Sequence, residues 1–375
     1  MQAEILIDGK KPDPALGLVQ AVLDEGLNRI STFDLLLACP DNKLVPSEKL
    51  GKTLVVKLSE EVDGQLKTSR FDGLIFEFGR ASETWANEGL WAYRLLARPR
   101  VWTLSFFYRS RIFNQNQSAV EVVNQVLSED SLQKDTDFKT DYLDQGVYGQ
   151  QEQIVQYQET DLDFVRRLLV GEGVNFFFSS DQEGQTPQLF HLVDDRSFFS
   201  SPFAASLPYQ EREGLVTNTR HVTAMEASRR TAPGQVQVKF HKLLNPSQKF
   251  EAERPVPQGL KTQVKLFGDL GLDQKAAEHQ ARVRSQEMNA TQWEGRGHSN
   301  VFLVRAGDRF GLDPDPFGGQ DQYLATRVIH RFRQAPELSL AALQSSPEYD
   351  NSFWVVLAEA DYRPAFLGRL LGASG

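Results

Sequence analysis

Gln156–Phe178, QYQETDLDFVRRLLVGEGVNFFF, is the stretch on which the fold turns. It reads as a strand, a helix and a strand in quick succession. Thr160 suits the N-cap, since its hydroxyl can accept from a free amide of the first turn. Asp161 and Asp163 fill that turn, where carboxylates meet the positive end of the helix dipole. Leu162, Val165, Leu168 and Leu169 recur at helical spacing and make one apolar face, so Leu168 is expected to be buried. Gly171 and Gly173 end the helix, and residues 174–178 read as a buried strand. The unit carries packing information rather than chemistry.

Upstream, Ser118 and Glu121 form an S-x-x-E capping box. Ala119, Val122, Val123, Val126 and Leu127 follow it at helical spacing. Residues 130–150 read as a polar, acidic linker. Downstream, residues 174–179 and 188–193 pair as a hairpin across the turn 180–187. This middle part is α+β and interrupts two β-rich parts. In the first, strands are expected over 30–38, 53–59, 71–78 and 90–96, with Gly, Asn, Asp and Glu in the turns. In the second, they are expected over 217–224, 234–241 and 300–305. One helix, from 272 to about 289, presents the small residues Ala276, Ala277 and Ala281 with Val283. A loose internal repeat sets Gly51 and the strands after it beside Gly307 and the strands 308–312, 323–332 and 353–357.

The chain has 375 residues, more than one domain usually holds. Charged residues are 24% and apolar ones 40%, the balance of an ordinary globular protein. The net charge of -9 argues against a general nucleic-acid binder. The lone cysteine, Cys39, lies in a strand-like run and reads as a buried structural thiol. The first residues, MQAEILIDGKKPDP, lack the charged-then-apolar order of a signal peptide. No run reaches the roughly 18 apolar residues of a membrane helix. Synthesis and folding in the cytoplasm are expected, with any export by a route that reads no N-terminal signal.

No cluster demands an enzyme, so no catalytic, cofactor-binding or metal residue is assigned and no cofactor is expected. His191, His221, His241, His279, His298 and His330 are scattered, with no H-x-x-x-H or H-E-x-x-H spacing. Asp194 with Asp195, and Glu159 with Asp161 and Asp163, could serve glycoside hydrolysis only across a cleft. A turn and a helix N-terminus explain them without one. Residues 313–319, DPDPFGG, read as a hairpin loop, because two prolines break the spacing of a calcium loop. Arginine pairs at 98/100, 109/111, 166/167, 229/230 and 282/284 build no stripe. Arg109 and Arg111 invite a structural carboxylate, one candidate being a neighbouring subunit's.

Three motifs in order carry a resemblance: YRLLARPRVWTLSFFYRSRIFNQNQSAVEVVNQVL (Tyr93–Leu127), the Gln156–Phe178 unit, and YLATRVIHRF (Tyr323–Phe332). Together they resemble the VgrG family, spike proteins of the type VI secretion system and relatives of the tail hubs of contractile phages. The resemblance implies a β-rich α+β fold: two similar β-barrel tube domains with an inserted α/β segment. The expected bounds are 1–100 for the first tube domain, 101–205 for the insert, 206–360 for the second, and 361–375 for a truncated C-terminal linker. It implies a non-enzymatic homotrimer that adapts the Hcp tube to a cell-puncturing spike, with effector or baseplate proteins as further partners. Neither nucleic-acid binding nor membrane insertion is implied. A baseplate hub of a prophage or other contractile particle is the alternative, and a secreted cell-wall hydrolase a third reading of another class. The linker into the family's OB-like domain should begin near Tyr362-Arg363-Pro364, but no valine-glycine-rich repeat follows. Fragment, truncated gene and stand-alone hub all stay open.

Overall fold

A computed structural model describes residues 1–12, 16–62, 64–85, 89–114, 116–129, 132–180, 188–199, 201–203, 205–211, 219–242, 245–268, 273–319, 322–335 and 346–366. Six strands come first: β1 (Gln2–Ile7), β2 (Gly17–Gly26), β3 (Thr32–Cys39), β4 (Thr53–Val62), β5 (Gln65–Trp85) and β6 (Leu90–Arg98). The last four match the expected strands. β1 and β2 were not foreseen, although β2 sits with Ala21 and Leu23 wholly buried.

The middle part holds β7 (Tyr108–Phe113), β8 (Gln117–Ser118), α1 (Ala119–Glu129), β9 (Phe138–Tyr142), β10 (Gln150–Gln151), β11 (Ile154–Thr160), α2 (Asp161–Glu172), β12 (Asn175–Ser179) and β13 (Leu189–Val193). The capping box forms in both directions. The Ser118 amide donates to Glu121 Oε2 at 2.7 Å, and the Glu121 amide to Ser118 Oγ at 3.2 Å. At α2 the Asp163 amide donates to Thr160 Oγ1 at 3.1 Å. Gly173, left-handed at φ 72, ends α2 with its amide on the carbonyls of Leu169 and Val170. Gly171 does not stop the helix but lies within it. There Arg284 and Gln280, both from outside α2, donate to its carbonyl. The apolar faces of α1 and α2 meet in one core with Phe138, Phe176 and Leu192, and Leu168 is buried in it. β12 and β13 form the expected antiparallel hairpin. The turn 181–187 lies outside the described residues.

The last part holds β14 (Leu207–Pro208), β15 (Val222–Arg229), β16 (Pro233–Lys242), β17 (Asn245–Pro255), β18 (Leu260–Gly268), α3 (Gln274–Ala290), β19 (Trp293–Ser299), β20 (Arg309–Phe310), β21 (Leu312–Asp313), β22 (Tyr323–Arg333) and β23 (Glu348–Leu357). Ala276, Ala277 and Ala281 press α3 against the β16–β18 sheet. The strand expected over 300–305 is absent. Its apolar residues serve a different end: Phe302 fills the core of the first β-part, while Val301 and Val304 fill that of the second. An apolar run that plugs two cores from one connector has no ladder to join.

β1 to β6 and the strands β15, β19, β20, β22 and β23 share one 11-stranded sheet, ordered β1-β4-β5-β6-β3-β2-β22-β23-β19-β15, with β20 beside β22. The repeat glimpsed in the sequence is a repeat of hydrogen bonding. One rung of the first unit runs Leu23–Phe33–Ala97–Ile75 across β2, β3, β6 and β5. Its counterpart runs Ala227–Gly295–Val355–Ala325 across β15, β19, β23 and β22. The ladders slip at matching places, after Leu18 and Val222 and again after Ile75 and Ala325. The Gly51 amide donates to Ile75 O at 2.8 Å, and the Ile75 amide to Lys52 O at 3.0 Å. The Gly307 amide donates to Ala325 O at 2.8 Å, and the Ala325 amide to Asp308 O at 2.9 Å. Both glycines hold positive φ, 74° and 93°, which other residues adopt at a cost. The antiparallel ladder β2·β22 joins the two units edge to edge.

Candidate functional site

Three joints built on buried charged residues stand out, of which the first and third cross between parts of the fold and the second lies within the middle part. At the first, Arg305 grips Glu25 of β2 with two parallel hydrogen bonds of 2.7 and 2.6 Å, the geometry that makes arginine–carboxylate pairs strong. The Ala306 amide adds a third donor to Glu25 at 3.0 Å. Arg305 also donates to Arg70 O at 2.8 Å and lies 4.1 Å over the Phe71 ring. The joint therefore spans both β-units. Burial alone would raise the Glu25 carboxyl, but Arg305 and His330 more than offset it and hold it at about 2. His330, fully buried, bonds Tyr349 OH through Nδ1 at 2.6 Å, and burial keeps the imidazole below its ordinary range.

At the second joint, Asp161 is fully buried between Arg109 at 3.5 Å and Arg111 at 3.2 Å, with Gln156 Nε2 donating at 2.7 Å. Glu129 of α1 closes the cluster against Arg111. The carboxylates facing this arginine pair thus come from the same chain. The cause is local: β11 slips against β7 between Gln156 and Glu159, and the Asp161 amide then reaches Phe107 O at 2.9 Å. Asp161 is more than a helix-dipole carboxylate.

At the third, Arg284 of α3 is 1% exposed and donates to Val170 O at 3.0 Å and to Glu287 at 3.1 Å. Arg363 joins it from the chain's last described segment. It donates to Gly173 O at 3.1 Å, Asp194 O at 2.6 Å and Gln286 Oε1 at 2.9 Å. Residues 361–366, expected to begin a linker, are fastened to the junction of α2 and α3.

The residues flagged for chemistry do not converge. Asp194 accepts from Tyr148 OH, while Asp195 caps a short helical turn by accepting from the Ser197 amide. In the 313–319 loop, Asp315 accepts from the Phe317 amide and Tyr323 OH. Cys39 is buried and unbridged. Among the described residues no three His, Cys, Asp or Glu side chains are grouped to hold a metal ion, and no helix is long and apolar enough to cross a membrane.

A cavity of about 270 Å³ lies between Phe177, His191, Phe198, Phe199 and Asp308. His191 stacks on Phe177 with centroids 5.0 Å apart, and burial pushes its imidazole down to about 4. Asp308 keeps some exposure along the cavity wall, yet burial pushes its carboxyl up to about 7 against the pull of Arg305. A raised carboxyl binds its proton more tightly folded than unfolded. The stability it contributes is complete below about pH 4 and is lost as pH rises through about 7. Asp308→Asn keeps an acceptor for the Arg305 amide. It should be near neutral at pH 4 and stabilise by about 1–3 kcal/mol at pH 8. Melting curves at the two pH values check this, and equal effects at both would refute it.

The surface offers strand edges and aromatic side chains. Among the described residues, β15 is paired only with β19 beyond a bridge from Tyr209 to Val222. β5 leaves β4 after Leu74, and among the described residues no strand pairs with that side beyond the bonds of Ile75 to Gly51 and Lys52. Nearby, Phe106, Tyr108 and Tyr157 are each about two-thirds exposed.

The family model of the phage tail baseplate hub (GPD) matches residues 24–336. The type VI secretion system spike protein VgrG1a of Pseudomonas aeruginosa is 27% identical over 315 residues, which are 83% of this chain and 47% of that protein. The actin cross-linking toxin VgrG1 of Vibrio cholerae is 25% identical over 280 residues, 72% of this chain and 24% of that one. The chain thus spans less than half the length of these relatives. Among solved structures, the E. coli c3393 protein aligns with a TM-score of 0.64 at 20% identity, over 96% of this chain and 79% of its own. That protein is described as a type VI secretion component similar to T4 tail proteins gp27 and gp5. The 43 kDa tail protein of prophage MuSo2 from Shewanella oneidensis aligns with a TM-score of 0.60 at 13% identity, over 96% and 99%.

Proposed function

This chain belongs to the phage tail baseplate hub (GPD) family, and from that premise we propose that it is the hub of a type VI secretion spike. Its work is geometric. Three copies form a ring, and each contributes two similar β-units, so a three-fold assembly presents six near-equivalent faces. Such a ring can seat on a six-fold Hcp tube and carry a three-fold spike. Residues 1–100 and 206–360 serve as the tube domains and 101–205 as the insert. No bond is made or broken. Effector or baseplate proteins bind the assembled ring, which leaves the cell through the contractile apparatus.

The observation that carries this reading is the doubled rung pattern, with its paired glycine openings and matched slips, in a chain whose sequence aligns with VgrG spikes over most of its length. The Glu25–Arg305 joint and the Arg284 and Arg363 bonds to α2 support it, because a ring under force needs its units fixed. A second reading, a baseplate hub of a prophage particle, is favoured by the likeness to nearly the whole MuSo2 tail protein chain. Light scattering at micromolar concentration should give a trimer, and co-sedimentation with Hcp tubes should retain it. A folded monomer at every concentration would remove the ring. A trimer that ignores Hcp but binds a phage tube protein would favour the second reading.

A further inference from the structure

The two units are related by register, and among the described residues only one junction between them is made within the chain. Inside the chain, β2 of the first unit lies on β22 of the second, with Leu23 opposite His330, Asp24 opposite Ile329 and Gly26 opposite Arg327. The doubled rungs make β15 the counterpart of β2, and β5 the counterpart of β22. Among the described residues, the second unit thus ends in a β2-like strand that carries no ladder on its outer side beyond the bridge at Val222, and the first begins with a β22-like strand that carries none on that side beyond Ile75. Side chains at matched positions report the difference. Ala21 and Leu23 are wholly buried, whereas their counterparts are half-buried Met225 and exposed Ala227. Long bare edges are unstable features that proteins cover or block.

We propose that a second copy of this chain covers both edges, laying its β15 antiparallel on β5 with Ala227 opposite Arg80 and Ser228 opposite Gly79. The inference rests on the trimeric-hub reading above and specifies how that ring closes. Transfer of the β2·β22 register sets each pair. Arg327 becomes Glu77, and Gly26 becomes Arg230, so opposite charges meet at the end of the seam. β5 has a second irregularity beyond Arg80, which confines the seam to residues 77–81 against 226–230. One further bond transfers. The Leu27 amide donates to Thr326 O at 2.8 Å within the chain, and the same step would bring the neighbour's Thr231 amide to Phe76 O. The Phe76 ring lies 5.9 Å from that of Phe106, itself 68% exposed, so the seam runs onto the exposed aromatic patch. The contact is heterologous, head to tail, the kind that closes rings.

Engineered disulfides test the register. A Cβ placed on Gly79 meets nothing within 4 Å, and Ser228 is exposed, so both positions accept cysteine without repacking. Ser228→Cys with Gly79→Cys, and Ala227→Cys with Arg80→Cys, sample the wide and narrow kinds of antiparallel pair, of which the narrow one suits a disulfide. Ser228→Cys with Ala81→Cys is the two-residue slip. All are made in a Cys39→Ser background and checked for native circular dichroism and for trimers by light scattering. The expected result is subunit-linked dimers and trimers on non-reducing gels from one in-register pair, and free thiol in the slipped pair. Trimers with neither in-register pair linked, or with the slipped pair linked equally, would overturn the strand register and leave the trimeric hub standing. Folded monomers throughout would overturn both.

Discussion

Arg305→Ala should cost about 3–5 kcal/mol of stability at neutral pH, because it leaves Glu25 buried and charged without its partner. Glu25 takes two hydrogen bonds from this guanidinium and is 3% exposed, so water cannot replace them cheaply. The variant also loses a donor to Arg70 O and the guanidinium over Phe71. The pH dependence has a definite sign. In the wild type Glu25 is held at about 2, below its unfolded value of 4.5. Its stabilisation is present above that unfolded value and is lost as pH falls through about 2. In the variant, burial acts unopposed and raises the carboxyl, so the penalty shrinks once Glu25 is protonated. The difference between variant and wild type should be large at pH 7 and clearly smaller at pH 4. Glu25→Gln with Arg305→Met, which removes both charges, should recover most of the loss. Urea unfolding of the wild type and the two variants measures this. A cost below about 1 kcal/mol for Arg305→Ala would mean that the joint is not a closed one.

Nothing in the local sequence marks that joint. Glu25 and Arg305 lie 280 residues apart, and each sits among other charges with no periodicity to single it out. The elements that were legible are those whose cause is local. Ser118 with Glu121, and Thr160 with Asp163, are caps closed within one turn, so type and spacing suffice to find them. The α3 face could be read because small residues recur on it at helical spacing. β1 and β2 were missed for the opposite reason. β2 is buried by strands from both ends of the chain, β3 and β22, and its own alternation includes Gln20, Asp24 and Glu25. The 300–305 run was misread because strand propensity and core plugging select the same residues, Val and Phe. The glycine openings were visible because a positive φ narrows the choice of residue. The rung equivalence behind them lies in hydrogen bonds that no residue type encodes. Arg109 and Arg111 asked for a carboxylate, and the sequence held two suitable ones, Asp161 and Glu129. Only the slip in β11 brings them together.

Gly173 shows how much one residue of a packing signature can carry, and Gly173→Ala should be among the most damaging methyl additions in the chain. Two costs add. The residue sits at φ 72, where an L side chain costs about 1–2 kcal/mol. A Cβ there would lie 2.1 Å from Val283 Cγ1 and 3.1 Å from Val283 Cβ, so α3 must shift or Val283 must leave its rotamer. Overpacking of this kind costs roughly 1–3 kcal/mol. Retreat is blocked. The Gly173 carbonyl accepts from Arg363, and one turn back Arg284 and Gln280 hold the carbonyls of Val170 and Gly171. The expected loss is therefore about 2–5 kcal/mol in total. The two costs separate in a double variant. Val283→Ala makes room for the new methyl but leaves φ unchanged, so Gly173→Ala measured in that background should cost only the conformational part. Val283→Ala alone should cost about 1–3 kcal/mol as a cavity. Thermal or urea melts of the two single variants and the double variant decide it. Simple additivity of the two single costs would show that the methyl and Val283 do not compete for one space, and α2 would then not be seated on α3 through this glycine.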